Sequence, residues 1–429
     1  MSPGESILRH FGLGRPHRFE RFLLAVTAVL LALVAAASAL WMRSTGQLVV
    51  SGPRGEYFLY LAILLGSVLA LVRWPRIAGA LLLLATVEFG FGAGLVVMQR
   101  MGFGSNDLWP PLQAEQPRFR WHPLLQAVPI PSLDLVSRTG LTIRHTGEGT
   151  RGRDPVGSLA GRSVVATVGG STTYDVGLGD GDTWSDRLGQ ALDTAADKGR
   201  FYVVNHGVPG YTTAEHLLQT AFYQDKFGIA PRCAIYYVGW NDLRNAHIPA
   251  LDPGYADFHL PSQVDSLKVR RIGGSHVTFS PLLTLVLRFL GAHLDTVRYF
   301  SDPYALPLAS GGDARLEEIY QRNIRSISAI NRQRGVTTIW VGQLLNRSWL
   351  AGEGRYGWVP RMRDRDLWPM QQRLNAVLER TAREAGDIYV DVPVDDFGDA
   401  DFVDQGHFSP SGAQRFADIL APVVRQACR

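Results

Sequence analysis

Apolar and polar positions divide this chain into two regimes. Before residue 100 the apolar residues run together. Phe22 to Met42 is almost free of charge, Tyr57 to about residue 73 is a second apolar stretch, and Ile77 to Met98 is a third with one acid, Glu88, inside it. A stretch of about 20 apolar residues is long enough to cross a bilayer, and core helices of water-soluble domains are rarely apolar all round. The pattern therefore predicts three transmembrane helices, at about 22–42, 57–73 and 77–98. From residue 161 the pattern changes to short β-branched or aromatic runs, which predict strands at Val164–Val168, Phe201–Asn205, Cys233–Val238, Thr337–Leu345 and Ile388–Val392. Segments with a helical period lie between them, at about 183–197, 212–228, 313–334 and 366–385, with a last one at 410–427. Strand–helix alternation implies a parallel sheet covered by helices on both faces.

The intervening regions carry weaker signals. Residues 101–160 are rich in Pro and Gly and read as a linker leading into short strands such as Leu141–Arg144. The stretch 243–312 interrupts the alternation and reads as an insertion. It holds an amphipathic segment, Pro281–Phe300, expected to pack on the sheet, the alternatives being a lid or a surface resting on a bilayer. The chain thus divides into an anchor (1–100), a linker (101–160) and a catalytic α/β domain (161–429).

Charge sets the expected orientation. Arg9, Arg15, Arg18 and Arg21 precede the first span, and Arg73 and Arg76 separate the second from the third. The opposite side holds Arg43, Arg54 and Arg100. Basic loops favour the cytoplasm, so the N-terminus is expected inside and everything beyond residue 100 outside. A cleaved signal peptide ending near Ala37-Ser38-Ala39 would give the same placement. Glu88 is costly in a span and is by default a functional candidate. The small residues Gly90, Gly92, Ala93 and Gly94 favour close helix packing there instead.

Composition excludes several classes. Only three of the 43 Lys+Arg are lysine, and the net charge is +4. No basic run with interleaved aromatics occurs, so nucleic acid is not an expected partner. No Cys/His cluster or HExxH motif points to a metal, and the glycine-rich stretch 146–152 lacks the Lys-Ser/Thr ending of a phosphate loop. No cofactor is expected. Cys233 and Cys428 are the two cysteines. Cys233 opens an apolar run and reads as a small buried side chain, with a disulfide as the alternative.

Four motifs carry the chemistry. The first predicted strand runs into Gly169-Gly170-Ser171-Thr172-Thr173, the second into Asn205-His206-Gly207, and the third into Gly239-Trp240-Asn241-Asp242. Asp404 and His407 stand three apart before the last helix. Loops at the carboxyl ends of parallel strands converge on one edge of the sheet. A serine hydroxyl needs a base to become a nucleophile, and the base needs a partner to fix its tautomer. Ser171, His407 and Asp404 supply those three groups. Ser171 N–H, Gly207 N–H and the Asn241 amide are candidate donors to an oxyanion. Ser409 and Pro410 also read as the N-cap and first turn of the last helix.

The order GGS, NHG, GxND, DxxH resembles the SGNH/GDSL hydrolase superfamily over about residues 161–427. The resemblance implies a flavodoxin-like three-layer sheet of order 2-1-3-4-5. It implies Ser171 as nucleophile and first oxyanion donor, Gly207 and Asn241 as the others, and His407 with Asp404 as base and partner. The first block reads GGS where the family name has GDS, so Gly170 precedes the nucleophile. The expected activity is a serine esterase acting on acyl, foremost acetyl, esters of an envelope carbohydrate or a lipid at the outer face of a bacterial cell membrane. Two alternatives share the sequence evidence. One is an O-acyltransferase with the same triad, served by an acyl-donor partner protein. The other is an idle glycan-binding module, for which Trp184, Trp240, Trp340, Trp349, Trp358 and Trp368 are the candidate stacking faces, although most of them read as core or surface packing.

Overall fold

The structure is a computed structural model, and it describes residues 18–45, 53–101, 118–137, 140–249, 251, 279–286, 307–352 and 358–429. The described residues fall into two compact units, one made of the helices up to residue 101 with 279–286, the other of the rest.

The first unit holds α1 (Arg18–Thr45), α2 (Pro53–Ala70) and α3 (Pro75–Arg100). Apolar side chains such as Leu23, Leu61, Leu65 and Ala85 pack between them, while others, including Phe22, Ile63 and Leu83, face outward. Outward leucines on so apolar a helix are what a lipid-facing bundle requires. Two of the three helices, over Arg18–Leu40 and Pro75–Met98, are long and apolar enough to cross a membrane. The apolar part of α2, Gly55–Ala70, is shorter. Of the three expected spans, two are therefore long enough to cross; the apolar part of α2 falls short of that length because a turn at Leu71–Trp74 ends the helix. Glu88 is buried in this unit: the Ser280 hydroxyl donates to it at 2.8 Å and the Leu282 N–H at 3.4 Å. The described part of the amphipathic segment, 281–286, thus packs with the apolar helices and not on the sheet, and the acid receives the donors at its start. The remainder of that segment lies outside the described residues.

The second unit opens with two small antiparallel hairpins, β1 (Phe119–His122) with β2 (Gln126–Pro129), and β3 (Asp134–Val136) with β4 (Thr142–Arg144). The α/β core then runs β5 (Ser163–Gly169), the single turn α4 (Ser171–Tyr174), α5 (Trp184–Leu192), β6 (Phe201–Asn205), α6 (Thr213–Leu218), β7 (Cys233–Val238), α7 (Ala314–Gln333), β8 (Thr337–Gly342), α8 (Asp364–Ala385), β9 (Ile388–Val390) and α9 (Pro410–Ala427). The sheet is wholly parallel, in the order β6-β5-β7-β8-β9. This is the flavodoxin-like order 2-1-3-4-5.

The central strand β7 shows why both faces need helices. Every residue in it is buried. Cys233, Ile235 and Tyr237 face one core, with Trp184 and Leu188 of α5 and Phe416 and Leu420 of α9. Ala234, Tyr236 and Val238 face the other, with Ile324 of α7 and Leu374 of α8. A strand buried on both faces reads as continuous apolar sequence because alternation has no solvent side to report. The helix expected at 183–197 stops at Leu192, where Asp193 leaves helical geometry and its carboxylate accepts the Gly199 N–H. Cys233 and Cys428 are joined, with their Cα atoms 5.6 Å apart. The disulfide ties the end of α9 to the start of β7: Cys233 is buried as expected, and of the two alternatives for it the bridge is the one realised.

Candidate active site

The nucleophile turn is built where β5 ends. Gly169 allows the turn to close: a Cβ there would lie 2.5 Å from the Tyr237 carbonyl oxygen and 2.1 Å from Thr173 Oγ1. Its neighbour Gly170 leaves the space into which Asn241 reaches, since a Cβ at 170 would fall 2.3 Å from Asn241 Nδ2. That explains the departure from GDS: any side chain at 170 displaces the Asn241 amide. The turn is then clamped from outside. Trp184 Nε1 donates to the Thr172 carbonyl at 3.1 Å, Asn205 Nδ2 donates to the Thr173 carbonyl at 2.7 Å, and Trp184 N–H donates to Asp175 at 2.7 Å.

The histidine loop comes from 236 residues away in sequence. Ser409 caps α9 by accepting the Gly412 N–H, with Pro410 in the first turn. The Ser409 N–H reaches back to the Asp401 carbonyl at 2.9 Å, and Val403 N–H to the His407 carbonyl at 2.9 Å. This pinned loop sets His407 Nε2 2.8 Å from Ser171 Oγ and His407 Nδ1 2.7 Å from Asp404 Oδ2. Asp404 Oδ1 also accepts the N–H groups of Gly406 and His407, each at 2.9 Å. Burial pushes the Asp404 carboxyl up, but the His407 ring and the two backbone donors outweigh it, and the group is held below the ordinary carboxylate range. An ionised Asp404 can only accept, so Nδ1 carries the proton and Nε2 is left to accept from the serine hydroxyl.

The oxyanion donors fall out unevenly. Ser171 N–H opens α4, and among the described residues no acceptor takes it. Asn241 donates one amide hydrogen to the Tyr211 carbonyl at 2.8 Å, which aims the other. Asp242 anchors that loop by accepting the Thr213 hydroxyl at 2.6 Å. Gly207 does something other than expected. Its N–H donates to Asn205 Oδ1 at 2.8 Å, and a Cβ there would lie 2.2 Å from Tyr174 N. The absence of a side chain at 207 therefore serves packing against the nucleophile turn, and its N–H is already committed. Three residues on, Gly210 has a φ of 85° and open space where a Cβ would be, and among the described residues its N–H has no acceptor.

Two supports have no local sequence signal. The hairpin region that reads as a linker holds the turn: His145 Nδ1 donates to the Ile130 carbonyl at 2.9 Å, which leaves Nε2 to accept the Tyr174 hydroxyl at 2.8 Å. The buried Arg151 guanidinium lies 5.3 Å from the Tyr174 ring. Of the six tryptophans named as stacking faces, Trp184, Trp240 and Trp340 are buried in the cores and are unavailable to a sugar. Among the described residues no group of three or more His, Cys, Asp or Glu is arranged to hold a metal ion.

The sequence profile of the GDSL-like lipase/acylhydrolase family matches residues 167–415, more than half of the chain. The protein belongs to that family. It is an SGNH-type serine hydrolase. The chain also aligns with solved structures. A GDSL-like lipase from Bacteroides thetaiotaomicron is 13% identical with a TM-score of 0.35, the match covering 64% of this chain and 93% of that one. An acetyl-xylooligosaccharide esterase from Geobacillus is 14% identical with a TM-score of 0.34, covering 62% and 94%. An alpha/beta hydrolase from the metagenome of Lake Arreo, Spain, is 15% identical with a TM-score of 0.35, covering 61% and 95%. Among curated proteins none matches the chain.

Proposed function

We propose that this hydrolase is a membrane-anchored esterase that removes acyl groups, acetyl foremost, from a carbohydrate outside the cytoplasm. The observation that carries the catalytic part is the unbroken relay from Ser171 through His407 to Asp404, at 2.8 and 2.7 Å. In this reading His407 Nε2 takes the Ser171 proton as Oγ attacks the ester carbonyl. The oxyanion forms against Ser171 N–H and the free Asn241 amide hydrogen, with Gly210 N–H replacing Gly207 as the third donor. His407 then returns the proton to the leaving alcohol, and water repeats the sequence to release the acid. In this reading α1 and α3 supply the anchor and the shorter apolar helix α2 crosses with them; only with that odd number of crossings does the arginine asymmetry of the loops favour a catalytic unit outside. The Cys233–Cys428 disulfide accords with an oxidising compartment.

The test is covalent labelling. A serine-directed fluorophosphonate is expected to label the full-length wild-type protein once, at Ser171, and to leave Ser171→Ala unlabelled while both hydrolysis of p-nitrophenyl acetate and labelling disappear together. A folded wild type that is neither labelled nor active would leave the glycan-binding reading in its place.

The close fit at Gly170 gives a second check. Gly170→Ala is expected to push the Asn241 amide off its position. Losing one oxyanion donor costs about 10²–10³ in kcat, and overpacking costs about 1–3 kcal/mol of stability. Steady-state kinetics with a parallel thermal melt reads both. Unchanged kcat would show that Asn241 does not face the reacting carbonyl.

A further inference from the structure

Away from the serine, a cavity of about 250 Å³ lies between the β1–β2 hairpin and the segments that follow β6. It has room for one small molecule, below the roughly 300–1,000 Å³ of drug-sized sites. His206 lines it and is only 6% exposed, yet among the described residues neither ring nitrogen has a hydrogen-bond partner. Burial and the nearby Lys226 ammonium push this imidazole down to about 3, so it is neutral at ordinary pH, with one donor and one acceptor to offer. A buried polar group without a partner is costly. The two ring nitrogens point apart, so a ligand carrying two hydroxyls could accept from one and donate to the other.

The walls define the rest of the ligand. Lys226 is half-buried at the cavity and uses one N–H on the Glu148 carbonyl at 3.0 Å, leaving two. Arg120, which is exposed, also lines the cavity, with Glu148. Two cations against one carboxylate favour an anion. The rings of Tyr211 and Tyr223 complete the lining and provide flat apolar faces. A ring with an apolar C–H face, hydroxyls and one carboxylate meets all of these demands.

We infer that the cavity is a subsite for an acidic sugar, a uronate residue of the glycan that carries the ester. The inference rests on the carbohydrate reading above and deepens it. The geometry gives the subsite a connection to catalysis. Gly207 lines the cavity, and its other side touches the backbone of Thr173 and Tyr174, directly after the nucleophile. A chain of sugars bound with its uronate at His206 would sit one backbone layer from the turn that holds Ser171.

Isothermal titration of the full-length protein in detergent tests this, with sodium glucuronate, methyl glucoside and inorganic phosphate as probes. Glucuronate is expected to bind one to one, about tenfold or more tighter than either of the others, because the carboxylate adds charged hydrogen bonds and the ring adds hydroxyl and stacking contacts. Lys226→Met, at a half-buried position, is expected to lose about tenfold or more of that affinity. His206→Gln, which keeps a donor and an acceptor, is expected to weaken it less than Lys226→Met. Ser171→Ala is expected to bind glucuronate as the wild type does, so the subsite stands or falls apart from the esterase chemistry. Equal affinity for glucuronate and methyl glucoside, tighter binding of phosphate, no effect of Lys226→Met, or loss of binding in Ser171→Ala would each overturn the assignment.

Discussion

Asp404→Asn is expected to lower kcat on p-nitrophenyl acetate by about 10⁴-fold with little change in KM. The reason is the division of labour between the two carboxylate oxygens. Oδ1 accepts the N–H groups of Gly406 and His407. An asparagine in the same place must keep its carbonyl oxygen there, because an amide NH₂ cannot accept. Its NH₂ then occupies the position of Oδ2, 2.7 Å from His407 Nδ1, where it presents a donor to a nitrogen that needs an acceptor. The imidazole answers by moving its proton to Nε2, and that nitrogen can no longer take the proton of Ser171. The loop stays folded because its backbone donors are still satisfied, so the thermal midpoint should move little.

The pH behaviour separates this account from a simple loss of charge. The wild-type carboxyl is held below its ordinary range. A group with a depressed folded-state pKa stays ionised above its unfolded value and gives up its contribution only as pH falls through the folded value. Between about pH 5 and 9, far above the ordinary Asp value, Asp404 is therefore ionised throughout. Wherever His407 is unprotonated in both proteins, the rate deficit of Asp404→Asn should be constant across that window. A deficit smaller than tenfold, or one that vanishes at one end of the window, would mean that His407 is oriented by something other than this carboxylate.

The parts of the site legible in the sequence were those whose chemistry and spacing are local. Ser171 follows a β-branched strand and a pair of glycines. His407 stands three residues from its acid and two before a helix cap. The five strands were legible because buried parallel strands are short continuous apolar runs. What escaped was set by approach between distant segments. Gly207 stands in the expected block, but its missing side chain accommodates Tyr174, 33 residues earlier in the chain, and Asn205 takes its N–H. The reach of Asn241 into the space above Gly170 is likewise a fact of packing. Pro- and Gly-rich composition marked 101–160 as a linker with short strands, and gave no sign that His145 and Arg151 hold Tyr174 at the end of the nucleophile turn. Composition reports the backbone freedom of a segment and is silent about what its few polar side chains grip. The tryptophans divide: the cores claim Trp184, Trp240 and Trp340, as they usually claim a large indole, whereas Trp349 is 37% exposed.

The largest stability effect is expected at the disulfide. Cys233 and Cys428 close a loop with a sequence separation of 195. In the chain-entropy account a loop of that length confines the unfolded state by about 5 kcal/mol, an upper figure, with about 2–4 kcal/mol typical of measured bridges. Cys233→Ala with Cys428→Ala is therefore expected to lower the thermal midpoint by about 5–15 °C, at about 2–4 °C per kcal/mol for a domain of this size. Alanine is the right replacement because both sulfurs are fully buried, and a serine hydroxyl there would lack partners. The specific activity of the protein that remains folded should not change. Cys233 begins β7, whereas Asn241 follows its far end, so the bridge lies at the edge of the sheet opposite the catalytic loops. Burial also makes the native bond resistant to reductant: exchange requires a thiolate to reach sulfur, and that access comes only with opening of α9. Thermal melts with and without reductant added after heating, alongside mass mapping of the intact bridge, measure both quantities. A double mutant that melts with the wild type would show that α9 is held by Phe416, Leu420 and Val424 alone, and that the bridge constrains an end of the chain already fixed by packing.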